Sequence, residues 1–134
     1  MKICIVAANY YKDISENLIY GATKEIKKKV NNSIHVIRVP GTFEIPIVIS
    51  KNIKKFDAFI ALGCVIKGET PHFHYICSSV TNAIMYMSVK NKKPIGYGIL
   101  TCLNKKQALL RSDPHKKNKG KEAALAIFSV HRNK

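Results

Sequence analysis

One short segment of the sequence, VIKGETPHFHY, concentrates residue types that could do chemistry. It has a glycine at position 68, a Thr70-Pro71 step and two histidines. A Thr-Pro pair is favoured at a helix start, and the free N–H groups of a first helical turn attract an anion. Residues 68–72 therefore predict either a phosphate-binding loop or an ordinary capped helix start, and the local sequence does not separate the two.

The same segment raises the question of a metal site, with His72, His74 and Cys77 as ligands. Residues two apart do not share a helix face, and a zinc site needs three or four converging ligands. The sequence shows no second ligand cluster, so we predict no metal site. His72, in the first helical turn, is the better candidate for a proton carrier near neutral pH. A lone exposed histidine is the alternative.

Two further segments carry side chains suited to a polar, planar ligand. In VPGTFEIP, Glu44 could accept hydrogen bonds from a polyol, or it could cap backbone N–H groups at a helix start. Tyr10 and Tyr11 follow the first predicted strand, where an aromatic ring can stack on a planar ligand.

A polar loop near the end of the chain is flanked by Arg111 and Lys119. The two cations could hold a phosphate, the arginine through two parallel hydrogen bonds. No nucleophilic serine or cysteine has a recognisable base beside it in the sequence. If the protein is an enzyme, the nucleophile therefore belongs to a substrate.

The elements that would carry these residues alternate between strands and helices. Apolar runs predict strands at 2–8, 33–39, 56–63 and 94–101, and helical spacing predicts helices at 15–30, within 40–55, and at 71–89, 105–111 and 121–131. This order predicts a doubly wound α/β domain, with four parallel strands and helices on both faces. Such folds bind ligands beyond the carboxyl ends of the strands, where the segments above begin.

Length and composition bound the class of protein. A chain of 134 residues with 46% hydrophobic residues fits one globular domain, residues 1–134. No apolar run approaches the ~18 residues of a membrane span, and the opening KICIVAA is too short for a signal-peptide core. Four cysteines without a C-x-x-C pair are typical of reduced thiols. We therefore expect a cytoplasmic protein with no membrane partner.

The net charge of +15 could indicate a nucleic-acid partner. Of the 23 basic residues, however, only Arg38, Arg111 and Arg132 are arginine, the residue that base-reading surfaces favour. The lysines are spread along the chain among many asparagines and isoleucines, so a general compositional drift explains them equally well. We predict solvated lysine-rich faces and no nucleic-acid partner.

Four sequence blocks, taken together, resemble the 6,7-dimethyl-8-ribityllumazine synthase (lumazine synthase) family. They are VPGTFEIP, ALGCVIKGETPHFHY, PIGYGILT and NKGKEAALA, and the resemblance runs from Lys2 to about His131. It implies a flavodoxin-like version of the doubly wound fold and a condensation that needs no cofactor and no metal. The 5-amino group of 5-amino-6-(D-ribitylamino)uracil attacks the ketone of 3,4-dihydroxy-2-butanone 4-phosphate. An imine forms, phosphate leaves, and ring closure with loss of water gives the penultimate intermediate of riboflavin.

The resemblance also implies roles for individual residues. His72 is expected to be the general acid/base and Arg111 to grip the phosphate, oriented by Glu122. The residues expected to bind ribitylaminouracil are Tyr10, Thr42, Phe43, Glu44, Val65, Ile66, Lys67, Tyr97 and Gly98. Those expected to bind the phosphate are Gly68, Glu69, Thr70, Arg111 and Lys119.

A homo-oligomer with active sites between subunits follows from the same resemblance. The active site of the subunit that supplies His72 would be completed by four residues of its neighbour: Tyr97, Gly98, Arg111 and Lys119. The implied assembly is a pentamer, or a shell of about 60 subunits built from pentamers.

Four positions depart from the pattern of the family. His74 stands in place of an acid, Tyr11 in place of asparagine, Asn9 in place of arginine and Lys67 in place of arginine. An acid at position 74 could orient His72, so the change to histidine bears on the pH optimum.

Two other functions stay open at this point. A basic flavodoxin-like module could bind nucleotides or RNA, and a relative without turnover could bind flavin-like ligands. The presence of His72, Arg111 and Lys119 favours the enzyme over the second of these.

Overall fold

A four-stranded parallel sheet forms the centre of the computed structural model, which describes residues 1–133. Its strands are β1 (Lys2–Ala8), β2 (Ser33–Val39), β3 (Ala58–Ile66) and β4 (Ile95–Cys102). Their spatial order is β2-β1-β3-β4, and all three neighbouring pairs are parallel. The doubly wound α/β fold expected from the sequence is confirmed.

Five helices cover the two faces of this sheet. They are α1 (Lys12–Lys27), α2 (Ile45–Asn52), α3 (His72–Asn91), α4 (Lys105–Ser112) and α5 (Lys119–Arg132), with a short 3₁₀ turn (Thr42–Glu44) before α2. Within residues 1–133, none of the helices combines the length and the apolar character needed to cross a membrane.

Alternation along the strands divides the core into two clusters. Ile3 and Ile5 of β1 face the cluster that α1, α4 and α5 complete, whereas Cys4 and Val6 face the one that α2 and α3 complete. Successive side chains of a strand point to opposite faces, so a strand buried on both faces reads as one continuous apolar run. This accounts for the uninterrupted run at the start of the chain.

The end of β3 lies three residues beyond its predicted end. The parallel pairing with β4 continues to Ile66 opposite Cys102, and the N–H of Lys67 then donates to the Cys102 carbonyl at 2.9 Å. Pairing with a partner strand therefore extends β3 past the local apolar pattern. The extension carries Val65 and Ile66 on a rigid strand at the edge where ligands bind.

The starts of three helices also differ from the predictions. Helix α1 begins at Lys12, three residues before its predicted start at residue 15. Helix α5 begins two residues early, because the side chain of Asn118 accepts the N–H of Lys121 and caps it.

Helix α3 begins one residue late. Pro71 precedes the helix instead of opening it, because its ψ of 0° is not helical. The predicted Thr70 cap with Pro71 at the first position is therefore wrong, although Thr70 Oγ1 still accepts the N–H of His72 at a long 3.4 Å.

Candidate active site

A cavity of about 580 Å³ opens at the carboxyl ends of β1, β2 and β3. It is called the His72 cavity below. Its lining residues are Tyr10, Tyr11, Gly41, Thr42, Phe43, Cys64, Val65, Ile66, His72 and Ile76. Six of these are expected site residues, namely Tyr10, Thr42, Phe43, Val65, Ile66 and His72. They lie at the position that doubly wound folds use for ligands.

Two aromatic rings are available to a ligand in the His72 cavity. Tyr10 is 75% exposed and Phe43 is 62% exposed. The ring of Tyr11 lies edge-on against Tyr10, with centroids 4.9 Å apart. Exposed rings held at a cavity wall suit a planar, conjugated ligand, because stacking covers apolar surface that water otherwise contacts.

Glu44 does not line the His72 cavity. Its Oε1 accepts the N–H of Gly41 at 3.0 Å and closes the turn that carries Thr42 and Phe43. This is the capping role that the sequence left open. The predicted contact of Glu44 with a polyol stays a prediction.

The proposed phosphate loop is an exposed segment between β3 and α3. Residues 67–70 do not line the His72 cavity, and all four are exposed. Apart from Gly68 itself and its two chain neighbours, no heavy atom of residues 1–133 lies within 4 Å of the point where a side chain on Gly68 would begin. The loop therefore leaves open space before the first turn of α3. Phosphate contact by Gly68, Glu69 and Thr70 stays a prediction, as does substrate contact by Lys67.

A second cavity of about 290 Å³ lies beside β4 and is called the Arg111 cavity below. Its lining residues are Tyr97, Ile99, Leu100, Thr101, Arg111, Lys117, Lys119 and Glu122. Three cations and one carboxylate thus share a small space. Such an excess of positive charge favours an anionic group.

The guanidinium of Arg111 contacts a sulfur instead of its expected partner. Nη1 lies 3.7 Å from Sγ of Cys102 and donates to it. The ion pairs within residues 1–133 do not include Arg111 with Glu122. Both side chains line the same cavity, and orientation of Arg111 by Glu122 stays a prediction.

The expected site residues fall into two groups within one chain. The His72 cavity and the Arg111 cavity have no lining residue in common. Gly98 lines neither, because it is buried and an added side chain would meet Cδ2 of Leu62 at 2.5 Å. One chain therefore has an aromatic cavity with a histidine and, separately, a cavity rich in cations.

The cysteine in the His72 cavity is not a nucleophile at neutral pH. Burial raises the pKa of the Cys64 thiol to about 12, and nearby Cys102 and Asp13 add to the effect. A thiol reacts as its thiolate, so Cys64 is inert near pH 7. Burial, Cys64 and Tyr10 likewise raise the pKa of the Tyr11 phenol, which stays a neutral hydrogen-bond donor.

The sequence raised the question of a metal site at His72, His74 and Cys77. Across residues 1–133, no three His, Cys, Asp or Glu side chains are grouped so that they could hold a metal ion. His72 and His74 lie in the first turn of α3, and of the two only His72 lines the cavity.

Seven lining residues were not predicted as site residues from the sequence, namely Gly41, Cys64, Ile76, Ile99, Leu100, Thr101 and Lys117. Ile76 follows His72 by four positions, and that spacing on a helix already places both on one face. Cys64 lies one residue beyond the predicted end of β3 and directly before Val65 and Ile66, which were expected to bind the substrate. Lys117 has no distinguishing sequence signal, because it is one lysine among many.

The parallel sheet and the cavity beyond its strand ends define the class of this protein. It is a flavodoxin-like α/β domain with a cavity at the switch between β1 and β3, where such folds bind ligands. Fold alone does not assign an activity.

Comparison with known proteins narrows the class to a family. A family model described as 6,7-dimethyl-8-ribityllumazine synthase matches residues 1–134. Proteins of that name from Pseudarthrobacter chlorophenolicus and Arthrobacter sp. are each 41% identical over 132 residues, which cover 97% of this chain and 82% of each relative. One from Cutibacterium acnes is 41% identical over 135 residues, covering 97% of this chain and 80% of the relative. The chain therefore belongs to the 6,7-dimethyl-8-ribityllumazine synthase family, and the resemblance seen in the sequence is confirmed.

Proposed function

We propose that the chain condenses 5-amino-6-(D-ribitylamino)uracil with 3,4-dihydroxy-2-butanone 4-phosphate to give 6,7-dimethyl-8-ribityllumazine, phosphate and water. It is then an enzyme of riboflavin biosynthesis that makes the penultimate intermediate. The observation that carries this proposal is the family match over the whole chain. The absence of an activated protein nucleophile in the His72 cavity is consistent with it, because the attacking amine comes from the substrate.

The His72 cavity suits the uracil substrate. The exposed rings of Tyr10 and Phe43 offer stacking surfaces to the pyrimidine. The backbone of Val65 and Ile66 runs past the cavity at the end of β3 and can bind the pyrimidine edge. The ribityl chain then lies toward Thr42 and Glu44, whose turn is fixed by the bond to Gly41.

His72 is the proton carrier in this proposal. Attack of the amine on the ketone, dehydration to the imine, departure of phosphate and ring closure each move a proton. An imidazole at the cavity wall can accept and return these protons. The rest of the rate comes from holding the two substrates in a reactive geometry.

The phosphate-bearing substrate needs a cation that the His72 cavity does not supply. None of the ten residues that line this cavity is lysine or arginine. The Arg111 cavity has Arg111, Lys117 and Lys119. We infer that the complete site forms between two subunits, one giving the His72 cavity and its neighbour giving Arg111, Lys119 and the ring of Tyr97. The loop of residues 68–70 then contacts the same phosphate.

A ring of subunits follows from this arrangement. A contact between two different patches is head-to-tail, and such contacts close into rings. Exposed apolar side chains on α3, including Met85, Tyr86 and Val89, are available to be covered by neighbours. We propose the pentamer that the family resemblance implies, alone or within a larger shell. We also place the protein in the cytoplasm, because its four cysteines are free thiols, three of them buried.

The proposed reaction is tested by mixing the protein with both substrates. The lumazine product absorbs and fluoresces green, so its appearance is followed continuously. We expect product to form well above the uncatalysed rate, and to require both substrates. Product formation at the uncatalysed rate, by protein that is folded by circular dichroism, would contradict the proposed function.

A further inference from the structure

Asn118 is a buried polar residue that joins three helices. It is 2% exposed. Its Nδ2 donates to the Ser112 carbonyl at 2.8 Å and to the Asn17 carbonyl at 3.0 Å, while its Oδ1 accepts the N–H of Lys121 at 3.0 Å. One amide thus connects the end of α4, the middle of α1 and the start of α5. The nitrogen and the oxygen of its side-chain amide both have partners, which makes the junction rigid.

The cations of the Arg111 cavity are attached to this junction. Arg111 immediately precedes Ser112, and Lys117 and Lys119 flank Asn118 in the chain. The bond from Asn118 to Ser112 closes residues 112–118 into a ring. The backbone that carries the three cations is therefore held through one side chain that does not itself line the cavity.

The junction packs closely against the backbone of α1. A side chain on Gly21 would begin 2.1 Å from Oδ1 of Asn118, and one on Gly120 would begin 2.0 Å from the carbonyl oxygen of Leu18. Both glycines allow an approach that any larger residue would block. Asn118 is held against α1, whose apolar face is part of the core.

We propose that Asn118 is a positioning residue for the phosphate group of the butanone substrate. It sets the affinity for that group by fixing Arg111, Lys117 and Lys119 relative to one another, without touching the ligand. Bidentate recognition by a guanidinium depends on its orientation, so a small rotation of α4 against α5 weakens it. The inference rests on the proposed function for the identity of the anion.

The test compares Asn118→Ser with Asn104→Ser. Both asparagines cap a helix through Oδ1, but Asn104 is exposed and is not part of the junction. Serine keeps an acceptor for the cap and removes the amide donor. We expect Asn118→Ser to raise the KM for the butanone phosphate and the inhibition constant of inorganic phosphate about tenfold, below the ~10²-fold that a misplaced catalytic group can cost. The KM for the uracil substrate stays unchanged, and Asn104→Ser changes neither.

A purely structural role predicts a different pattern. It lowers the melting temperature and the active fraction but leaves the KM values and the phosphate inhibition constant as they were, and that result would overturn the proposal. An equal rise in both KM values would overturn it too. If the wild-type protein gives no product, the proposed function fails. Inhibition by phosphate cannot then be measured, because there is no reaction rate to inhibit. A second measurement therefore follows phosphate binding alone.

That measurement is hydrogen exchange on the wild-type protein, with and without inorganic phosphate. Asn118 holds the amide of Lys121, and Asn104 holds the amide of Gln107. If the junction and the anion site are coupled, phosphate slows exchange at Lys121 and not at Gln107. Equal exchange at Lys121 with saturating phosphate would contradict the coupling, whether or not Asn118→Ser folds.

Discussion

The imidazole of His72 lines a cavity whose other described lining residues carry no charge. The Cys64 thiol stays protonated there, since its pKa is raised to about 12. His72 is thus the lining side chain that can carry protons in the proposed reaction. We expect His72→Ala to lower turnover by about 10²-fold or more, with little change in uracil binding. Steady-state kinetics and a binding titration measure the two effects separately.

His74 provides a matched control for this change. It is exposed, lies in the same helical turn and does not line the cavity. His74→Ala should therefore reduce turnover far less than His72→Ala. A near-wild-type rate for His72→Ala would contradict the proposal that His72 is the proton carrier.

Arg111 is expected to act on one substrate only. Arg111 lines the Arg111 cavity and is expected to bind the phosphate. Arg111→Ala should therefore raise the KM for the butanone phosphate and lower turnover. Binding of a product analogue that carries the ribityl chain but no phosphate should change little. Arg38→Ala is the control, because Arg38 is held on the surface by Glu16 at 3.0 Å. If the analogue loses as much affinity as the phosphate substrate, Arg111 has a structural role instead.

Among the secondary-structure elements, β4 and α5 pack so closely that an added side chain between them should destabilise the fold. A side chain on Gly96 would begin 2.4 Å from the carbonyl oxygen of Ala123, and a backbone atom cannot move aside cheaply. Gly96→Ala should therefore destabilise the fold by about 1–3 kcal/mol, the usual cost of overpacking. Urea unfolding measures this. Gly68→Ala, in open space, should leave stability nearly unchanged, and equal losses in both variants would contradict the packing argument.

The sequence predicted those elements whose signals are local. Helix α4 begins at residue 105 as predicted, because the Asn104 cap that starts it depends on residues within one turn. The end of β3 was misplaced, because its last residues are set by pairing with β4. The position of the ligand edge followed from strand order alone.

Other features of the site depend on contacts that no local pattern reveals. Asn118 reads as an ordinary helix cap in the sequence, yet its bond to Asn17 joins residues 101 positions apart. The separation of His72 from Arg111 into two cavities likewise results from packing of α4 and α5 beside β4. The family resemblance supplied the idea that two subunits share one site.

At the scale of the whole molecule, the net charge of +15 has a limited expected consequence. Lysine-rich surfaces attract polyanions without sequence preference, and this attraction falls steeply as salt rises. We expect weak nucleic-acid binding at low salt that is largely lost at about 200 mM salt. Filter binding or fluorescence anisotropy over a salt series measures it. Tight, sequence-selective binding at physiological salt would contradict this expectation.

The central claim is that each active site combines His72 of one subunit with Arg111 of the next. His72→Ala and Arg111→Ala rings should then both be nearly inactive, because every interface in each ring has one defective half. In randomly mixed rings at equal amounts, about one interface in four joins an intact His72 to an intact Arg111. The two variants should therefore complement each other only when they share rings.

The most direct measurement is activity after the two variants are unfolded together and refolded together, with mass spectrometry to establish that mixed rings have formed. Our account predicts that about a quarter of wild-type activity returns, as expected for random head-to-tail assembly. Variants refolded separately and mixed afterwards should stay inactive unless rings exchange subunits. If mixed rings form and no activity returns, the site lies within one subunit and the shared-site assignment is wrong.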